Sequence, residues 1–350
     1  MSPTLLDLDP RELAAWLEAR GAARFRADQI WQAVFREGIQ KIQRIATLPQ
    51  PLRDLLEDTL PMTVLQPLTA VEGAGRRVIK TLYELADGET IEVVLMRYAR
   101  RRTVCVSTQV GCALACAFCA TGQGGFVRDL TTGEIVAQAL AAVRRLRDTG
   151  ERLTNIVYMG MGEPFMNYDA TLQSARILND PRGLGLGIRS FTVSTAGVVP
   201  GILRLASEPE EINLAVSLHT VDDALRTRLV PLNRRYPVTT LLDACRTYID
   251  ATRRRVSFEV ALVQDLNDTP EHAERMGRAL RGMLCHVNLI PANPCDGSPH
   301  APSARDRVAR FAETLKRSGI PTTVRVARGV TIGAGCGQLR RRDQSLSSPR

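Results

Sequence analysis

The rhythm of apolar and polar positions changes twice along the chain. Up to about residue 60, apolar side chains recur at helical spacing, as Leu13, Trp16 and Leu17 and then as Ile30, Val34 and Phe35. This spacing predicts short helices, punctuated by Pro49, Pro51 and Pro61. From 63 to 97 the pattern shifts toward alternation. Val78 to Glu92 alternates in places, Asp87-Gly88 signals a hairpin, and Ile91 to Leu95 reads as a strand. A small antiparallel element is expected there. From residue 103 a third rhythm begins. Strand-like runs fall at Thr103–Ser107, Asn155–Met159, Phe191–Ser194, Ile212–Leu218, Val256–Val263, Val287–Ile290 and Thr322–Val326, with helical segments between most of them. Thr131-Thr132-Gly133-Glu134 fits a capping box, and Ile135, Ala139, Val143 and Leu146 follow on one face. Ser303 is placed to cap a helix running to Lys316. Strand alternating with helix implies an α/β fold with parallel strands, either a doubly wound sheet or a barrel.

Composition adds limits. The chain has 350 residues, 44% hydrophobic and 24% charged, as in soluble globular proteins. No apolar stretch is long enough to span a bilayer. Residues 1 to 20 carry Asp7, Asp9, Glu12 and Glu18 and lack the basic start and apolar middle of a signal peptide, so a cytoplasmic location is expected. Lys plus Arg is 46 and Asp plus Glu is 37, a net of 46 − 37 = +9. Arginine runs stand at 100–102, 253–255 and 340–342. Excess positive charge favours a polyanionic partner. An arginine-rich solvated surface would give the same count.

Eight cysteines in such a chain point to metal or redox chemistry and away from a disulfide scaffold. Cys105, Cys112, Cys116 and Cys119 crowd into one segment; Cys245, Cys285, Cys295 and Cys336 are scattered. Cys112-x-x-x-Cys116-x-x-Cys119 can converge on one metal site if the chain loops around it. A four-iron cluster is usually held by four thiolates, so three leave one iron open. Phe118 could shield such a cluster. The competing reading is structural zinc, but that usually takes four ligands in two short Cys pairs. The nearest fourth thiol here, Cys105, lies upstream in a strand-like run. Chance clustering of buried cysteines is the other alternative. The loop follows a strand, at the end where α/β barrels build their sites. Gly160-Met161-Gly162-Glu163-Pro164, Ser194-Thr195, Ser217-Leu218-His219 and Asn293 also stand at strand ends. Glu163 could accept a hydrogen bond from an ammonium group. Cys336 sits among small residues in Gly333-Ala334-Gly335-Cys336-Gly337, which suits an exposed, approachable thiol.

The three-cysteine spacing resembles that of the radical S-adenosylmethionine (SAM) enzymes. The resemblance implies a [4Fe-4S] cluster on Cys112, Cys116 and Cys119, whose open iron chelates SAM and releases a 5′-deoxyadenosyl radical. Longer stretches are similar to the RlmN/Cfr family of RNA adenine methyltransferases. These are Val104 to Ser107, Gln109 to Cys112, Cys116 to Gly122, Met159 to Pro164, Ser194 to Val198, Ser217 to His219 and Cys336 to Leu339. Phe25 to Ile30 looks like part of that family's helical N-terminal domain. The run Val330 to Gly335 departs from the family, which usually has acidic residues and two alanines before its cysteine.

The family resemblance implies a partial (β/α) barrel at 101–339 and an RNA-binding helical domain at 1–62; the antiparallel element, read from its own pattern, links them at 63–100, and the basic tail at 340–350, rich in Arg and Ser, is expected to be disordered. It implies that SAM is held by Gly162, Glu163, Ser194, Ser217, Leu218, His219 and Asn293. It further implies two SAM molecules per turnover, with Cys336 as a methyl carrier, Cys105 as the resolving thiol of a transient disulfide, and Glu92 as the base. Its apolar strand-like run allows partial burial that would raise the basicity of Glu92, but without the resemblance a solvated strand face is the preferred reading. Carbon 2 of an adenine in 23S rRNA and tRNA is the expected target, with a monomeric enzyme and a flavodoxin-type or other electron donor. Carbon 8, as in the Cfr branch, is the near alternative; Pro164 and Asn167-Tyr168 look more like the carbon-2 branch. A zinc-stabilised RNA-binding protein without catalysis is the distant alternative.

Overall fold

The computed structural model describes residues 3–63, 65–73, 75–293, 301–325 and 329–339. Helix α1 (Pro10–Glu18) begins where the Asp9 carboxylate accepts from Arg11 N and Glu12 N, and the Glu12 carboxylate in turn accepts from Asp9 N. It buries Leu13 and Leu17. Helix α2 (Arg26–Trp31) runs on into a π-helical turn over Gln32–Glu37, and α3 (Gln50–Thr59) completes the N-terminal group. Trp31 and Phe35 stack in its core at 4.3 Å.

Strands β1 (Gln66–Gly73), β2 (Val78–Glu84) and β3 (Thr90–Arg97) form the antiparallel element, with Asp87-Gly88 in the β2–β3 turn. The meander is not a separate sheet: β3 pairs antiparallel with β4 (Arg102–Val106) and so extends the main one. Strand β5 (Gln109–Gly111), the short helix α4 (Ala120–Gln123) and β6 (Phe126–Asp129) frame the clustered cysteines. Then come α5 (Thr132–Arg147), β7 (Asn155–Tyr158), α6 (Tyr168–Asn179), β8 (Phe191–Thr195), α7 (Val199–Ala206) and β9 (Asn213–Ser217). Helices α8 (Asp223–Leu229) and α9 (Val238–Thr252) precede β10 (Val256–Leu262), α10 (Pro270–Ala279), β11 (Cys285–Pro291), α11 (Arg305–Arg317) and β12 (Thr322–Val324).

Every strand-like run after residue 103 is a strand, and from β4 onward the main sheet is parallel in the order β4-β7-β8-β9-β10-β11-β12. The sheet curls: Cys105 of β4, Ile290 of β11 and Arg325 just past β12 line one cavity, although their strands stand far apart in the order. This is an α/β partial barrel.

The capping box at Thr131 and Glu134 is present and opens α5. Ser303 is not a cap. Helix α11 has Ala304 at its cap position, without a side-chain bond, and the Ser303 hydroxyl is buried with no hydrogen-bond partner. An isolated bridge between Val263 and Pro302 draws this stretch against the barrel, which accounts for the burial. Val326, Cys295 and the tail at 340–350 lie outside the described residues.

Both ends of α5 are tied to the N-terminal helices. Gly133 N donates to Asp7 Oδ1 at 2.6 Å, and Arg147 Nη2 donates to Phe35 O and Arg36 O at 3.1 and 2.7 Å. Among the described residues, no helix is long and apolar enough to cross a membrane.

Candidate active site

The β5–β6 ribbon closes the neck of the cysteine loop. Gln109 pairs with Asp129 and Val110 with Arg128, and Cys112 N donates to Gly125 O at 2.8 Å. Gly111 has φ of +76°, and a Cβ there would lie 1.9 Å from Gly125 O, so only glycine lets the two strands close. Inside the neck, Cys119 N donates to Cys116 O at 3.1 Å, and Ala117 N donates to Leu229 O of α8 at 3.0 Å. Cys112, Cys116 and Cys119 then line one cleft with about 1060 Å³ of open space.

Burial pushes the Cys112 thiol up to about 12, and the nearby Glu163 and Cys119 charges add to this. Cys116 is raised by burial and then by its two neighbouring cysteines. Thiolates gathered here thus need a cation, and iron reverses the balance by binding them directly. Among the described residues, no three His, Cys, Asp or Glu side chains converge as ligands of a single ion. The thiols instead surround a shared space, which suits a four-iron cube that takes its thiolates at separate corners.

The ends of the parallel strands supply the opposite wall. Gly162, Glu163, Ser194, Ser217, His219 and Asn293 all line the same cleft. Leu218 does not: its side chain is in the apolar core, and its carbonyl accepts from Arg226 Nε. Glu163 is 2% exposed, with Oε2 accepting from Ala196 N at 2.8 Å and Oε1 from Phe165 N at 3.1 Å. Burial still lifts its carboxyl from near 4.5 to about 7. His219 is buried, with φ of +62°, and burial followed by the Arg226 charge depresses its pKa to about 3. The ring is therefore neutral. Its Nδ1 accepts from Ala261 N at 3.1 Å, which assigns the ring proton to Nε2. Phe118 meets this ring edge-on at 4.6 Å.

The C-terminal loop crosses the barrel and brings Cys336 to this cleft. Ala120 N donates to Gly337 O at 2.8 Å, Asn293 Nδ2 to Cys336 O at 2.9 Å, and Thr121 Oγ1 to Leu339 O. Cys336 is exposed and lines both the cleft of the three cysteines and an adjoining cavity that holds Cys105. Cys105 is buried; desolvation and then the Cys336 charge push its thiol up to about 12. Arg325, which the sequence reading did not single out, lines both cavities, and Cys336 is the main cause of its raised pKa. Glu92 is 1% exposed and is not on a solvated strand face. It forms an ion pair with Lys80 at 2.8 Å, and its carbonyl accepts from Ser107 Oγ. The Asn167 amide bridges Thr108 O and Leu130 O.

A broad opening lies at the other end of the strands. Arg101, Arg189, Arg253, Arg254, Arg255 and Arg325 line it against Glu211 and Glu259, six positive charges less two negative for a surplus of four. Two of the three arginine runs seen in the sequence thus meet at one mouth. Met96, Tyr98, Val157, Met159 and Arg325 line both this opening and the Cys105 cavity.

Residues 106–276 match the Radical SAM superfamily, and residues 4–61 match the ribosomal RNA large subunit methyltransferase N-terminal domain. A solved radical SAM methyltransferase from Sphaerobacter thermophilus superposes with a TM-score of 0.95 at 51% identity, over 97% of this chain and 99% of that one. Fold, cysteine loop and strand-end wall define a radical SAM enzyme, which uses a [4Fe-4S] cluster and SAM. The probable dual-specificity RNA methyltransferase RlmN of Chloroflexus aurantiacus is 48% identical over 96% of this chain and 92% of its own length. The dual-specificity RNA methyltransferase RlmN 1 of Myxococcus xanthus is 47% identical over 97% and 94%. The chain belongs to the RlmN family of SAM-dependent RNA methyltransferases.

Proposed function

We propose that this enzyme methylates carbon 2 of an adenine in 23S rRNA and in tRNA, using Cys336 as methyl carrier and Cys105 as resolving thiol. The observation that carries the reading is the position of Cys336. It alone among the described cysteines lines both the cleft of Cys112, Cys116 and Cys119 and the cavity of Cys105. Bound on those three cysteines, cluster and SAM supply a one-electron cleavage that yields a carbon radical.

The chain's own residues do the rest. Glu163 and the strand-end polar groups hold the amino acid part of SAM, and His219 offers an Nε2 proton. Cys336 carries the methyl carbon to the adenine, and Glu92 takes the proton released from the adduct. The Cys105 thiolate then attacks the Cys336 sulfur: a sulfur–sulfur bond forms, the carbon–sulfur bond breaks with its electron pair going to the methylene carbon and adenine ring, a proton completes the methyl group, and the methylated base leaves. Arg325 lines the cavity of Cys105 and Cys336, and its charge works against the burial that raises the Cys105 thiol.

The arginine-lined opening supports an RNA substrate, whose phosphates it would meet while the unstacked target base passes inward. We assign residues 1–62 to RNA binding, 63–100 to a linking element and 101–339 to the catalytic unit. A monomer in the cytoplasm, served by a flavodoxin-type donor, completes the reading.

The test is anaerobic reconstitution, incubation with SAM and RNA fragments, and mass spectrometry of the digested nucleosides against standards. 2-Methyladenosine is expected. 8-Methyladenosine would move the enzyme to the Cfr chemistry, and a protein holding zinc without iron or sulfide would end the catalytic reading.

A further inference from the structure

Behind the wall of the SAM cleft lies a cation that the chemistry above does not use. Arg226 of α8 is 1% exposed. Its Nε donates to Leu218 O at 3.1 Å, Nη1 to Asn233 Oδ1 at 2.9 Å, and Nη2 to Ala196 O and Ser217 O at 2.7 and 3.1 Å. All four acceptors are neutral. The carboxylate of this network is Asp223, one amide further on: Asn233 Nδ2 donates to Asp223 Oδ1 at 2.9 Å. Burial draws the Arg226 pKa down to about 10, so the guanidinium stays charged at neutral pH. A buried charge bonded only to dipoles is costly, and such charges are normally matched by an opposite one.

Three contacts set this charge against the cysteine loop. Leu225 and Leu229, on the same helix, share an apolar cluster with Cys112, onto which Cys116 and Phe118 pack. Ala117, inside the cysteine loop, donates its N–H to Leu229 O. Ala196, whose carbonyl takes Nη2, lines the cleft beside the three cysteines and gives its own N–H to Glu163. The titratable groups facing it are Asp223, Cys116, Cys245 and the neutral His219, and burial holds the Cys245 thiol protonated. A four-iron cluster on three thiolates is net anionic and becomes more so on gaining an electron. A fixed cation in a low-dielectric wall favours the reduced state over the oxidised one.

We propose that Arg226 is the buried counter-cation of the cluster site, pinning the ends of β8 and β9 as the cleft wall and raising the reduction potential of the cluster held by Cys112, Cys116 and Cys119. The hydrogen bonds of Arg226 all go to protein acceptors, which makes it a positioning residue. The inference rests on the radical SAM assignment.

The experiment uses the full-length enzyme with its cluster reconstituted anaerobically, in wild type, Arg226→Met, Arg226→Lys and Asp223→Asn. The readout is the cluster's midpoint potential, titrated with titanium(III) citrate and followed by the electron paramagnetic resonance of the reduced form. Arg226→Met should lower the equilibrium constant for reduction about tenfold, equivalent to about 59 mV for one electron. Arg226→Lys keeps the charge and should stay within about threefold of wild type. Asp223→Asn removes the network's carboxylate and should shift the potential the other way. Arg226→Met with full iron and sulfide and an unchanged potential overturns the proposal. Should that variant fail to load a cluster, Asp223→Asn decides, and an unmoved potential there overturns it equally. Failure of the wild type itself to take up iron and sulfide would strike at the cluster assignment instead.

Discussion

Replacing Glu163 with Gln should make the cluster-free protein more stable at pH 8 while weakening its hold on SAM. The carboxyl sits at about 7 in the fold against an ordinary value near 4.5, chiefly because burial disfavours its charge. The sign follows from linkage. The folded state binds the proton more tightly than the unfolded chain, so the group's contribution is intact below pH 4.5 and is lost as pH rises through about 7. A shift of this size corresponds to about 3 kcal/mol above pH 7, at about 1.4 kcal/mol per unit. Glutamine removes that cost. It also gives up one acceptor: Ala196 N and Phe165 N each donate to a separate oxygen of Glu163, and the amide has only one. That loss costs about 1–2 kcal/mol. Glu163→Gln should therefore be no more stable than wild type at pH 5 and about 1–2 kcal/mol more stable at pH 8. Urea denaturation of chelator-treated, reduced protein, followed by circular dichroism across this pH range, measures it. Equilibrium dialysis of the loaded enzyme should show SAM binding weakened by about tenfold or more, the value of a charge-assisted hydrogen bond. The same stability difference at pH 5 and pH 8 would refute the reasoning.

Other perturbations separate the remaining roles. Cys105→Ala should accumulate a protein–RNA crosslink through Cys336, seen as an RNase-sensitive shifted band, whereas Cys336→Ala should form none; identical behaviour of the two would remove both assignments. With the Cys105 thiol at about 12, decay of a pre-formed adduct in wild type should quicken about tenfold per pH unit between pH 7 and 9, and a flat profile in rapid-quench gels would argue against attack by this thiolate. Arg147→Ala removes two bonds to the carbonyls of Phe35 and Arg36 and should cost about 2 kcal/mol in urea denaturation; a change below about 0.5 kcal/mol would mean that the N-terminal helices are held elsewhere. Arg253→Gln with Arg255→Gln should reduce the slope of log affinity against log salt by about one per lost phosphate contact, and an unaltered slope would take RNA away from this opening.

The fold was legible wherever the pattern was local. Seven parallel strands announced themselves because β-branched and aliphatic runs stood between amphipathic helices, and the Thr131 capping box needs only two residues three apart. The cysteine loop was legible because its thiols are close in sequence. What the sequence hid depends on the curl of the sheet. Arg325 and Arg226 have no motif around them; the first gains meaning by facing Cys336, the second by reaching the ends of two strands. Lys80 matters to Glu92 only through the β2–β3 register, in which Leu82 faces Glu92 and Lys80 is its diagonal neighbour on the same face. Ser303 was misread because a hydroxyl before a helix suggests a cap, and tertiary burial of that stretch overrode the local preference.

Helix α5 sets where this protein can be cut and rejoined. At its first turn, Gly133 donates its N–H to the Asp7 carboxylate, and any side chain there would strike Thr4 and Thr63, with a Cβ only 2.6 and 2.7 Å from their hydroxyls. At its last turn, Arg147 completes the carbonyl end of the helix above it. A chimaera that exchanges the first sixty or so residues with those of another enzyme would therefore dock them only if the recipient keeps a glycine and an arginine at these two positions. The natural unit of exchange runs from the N-terminus through α5, and a junction placed at the end of α3 leaves both fastenings to whatever residues the recipient supplies.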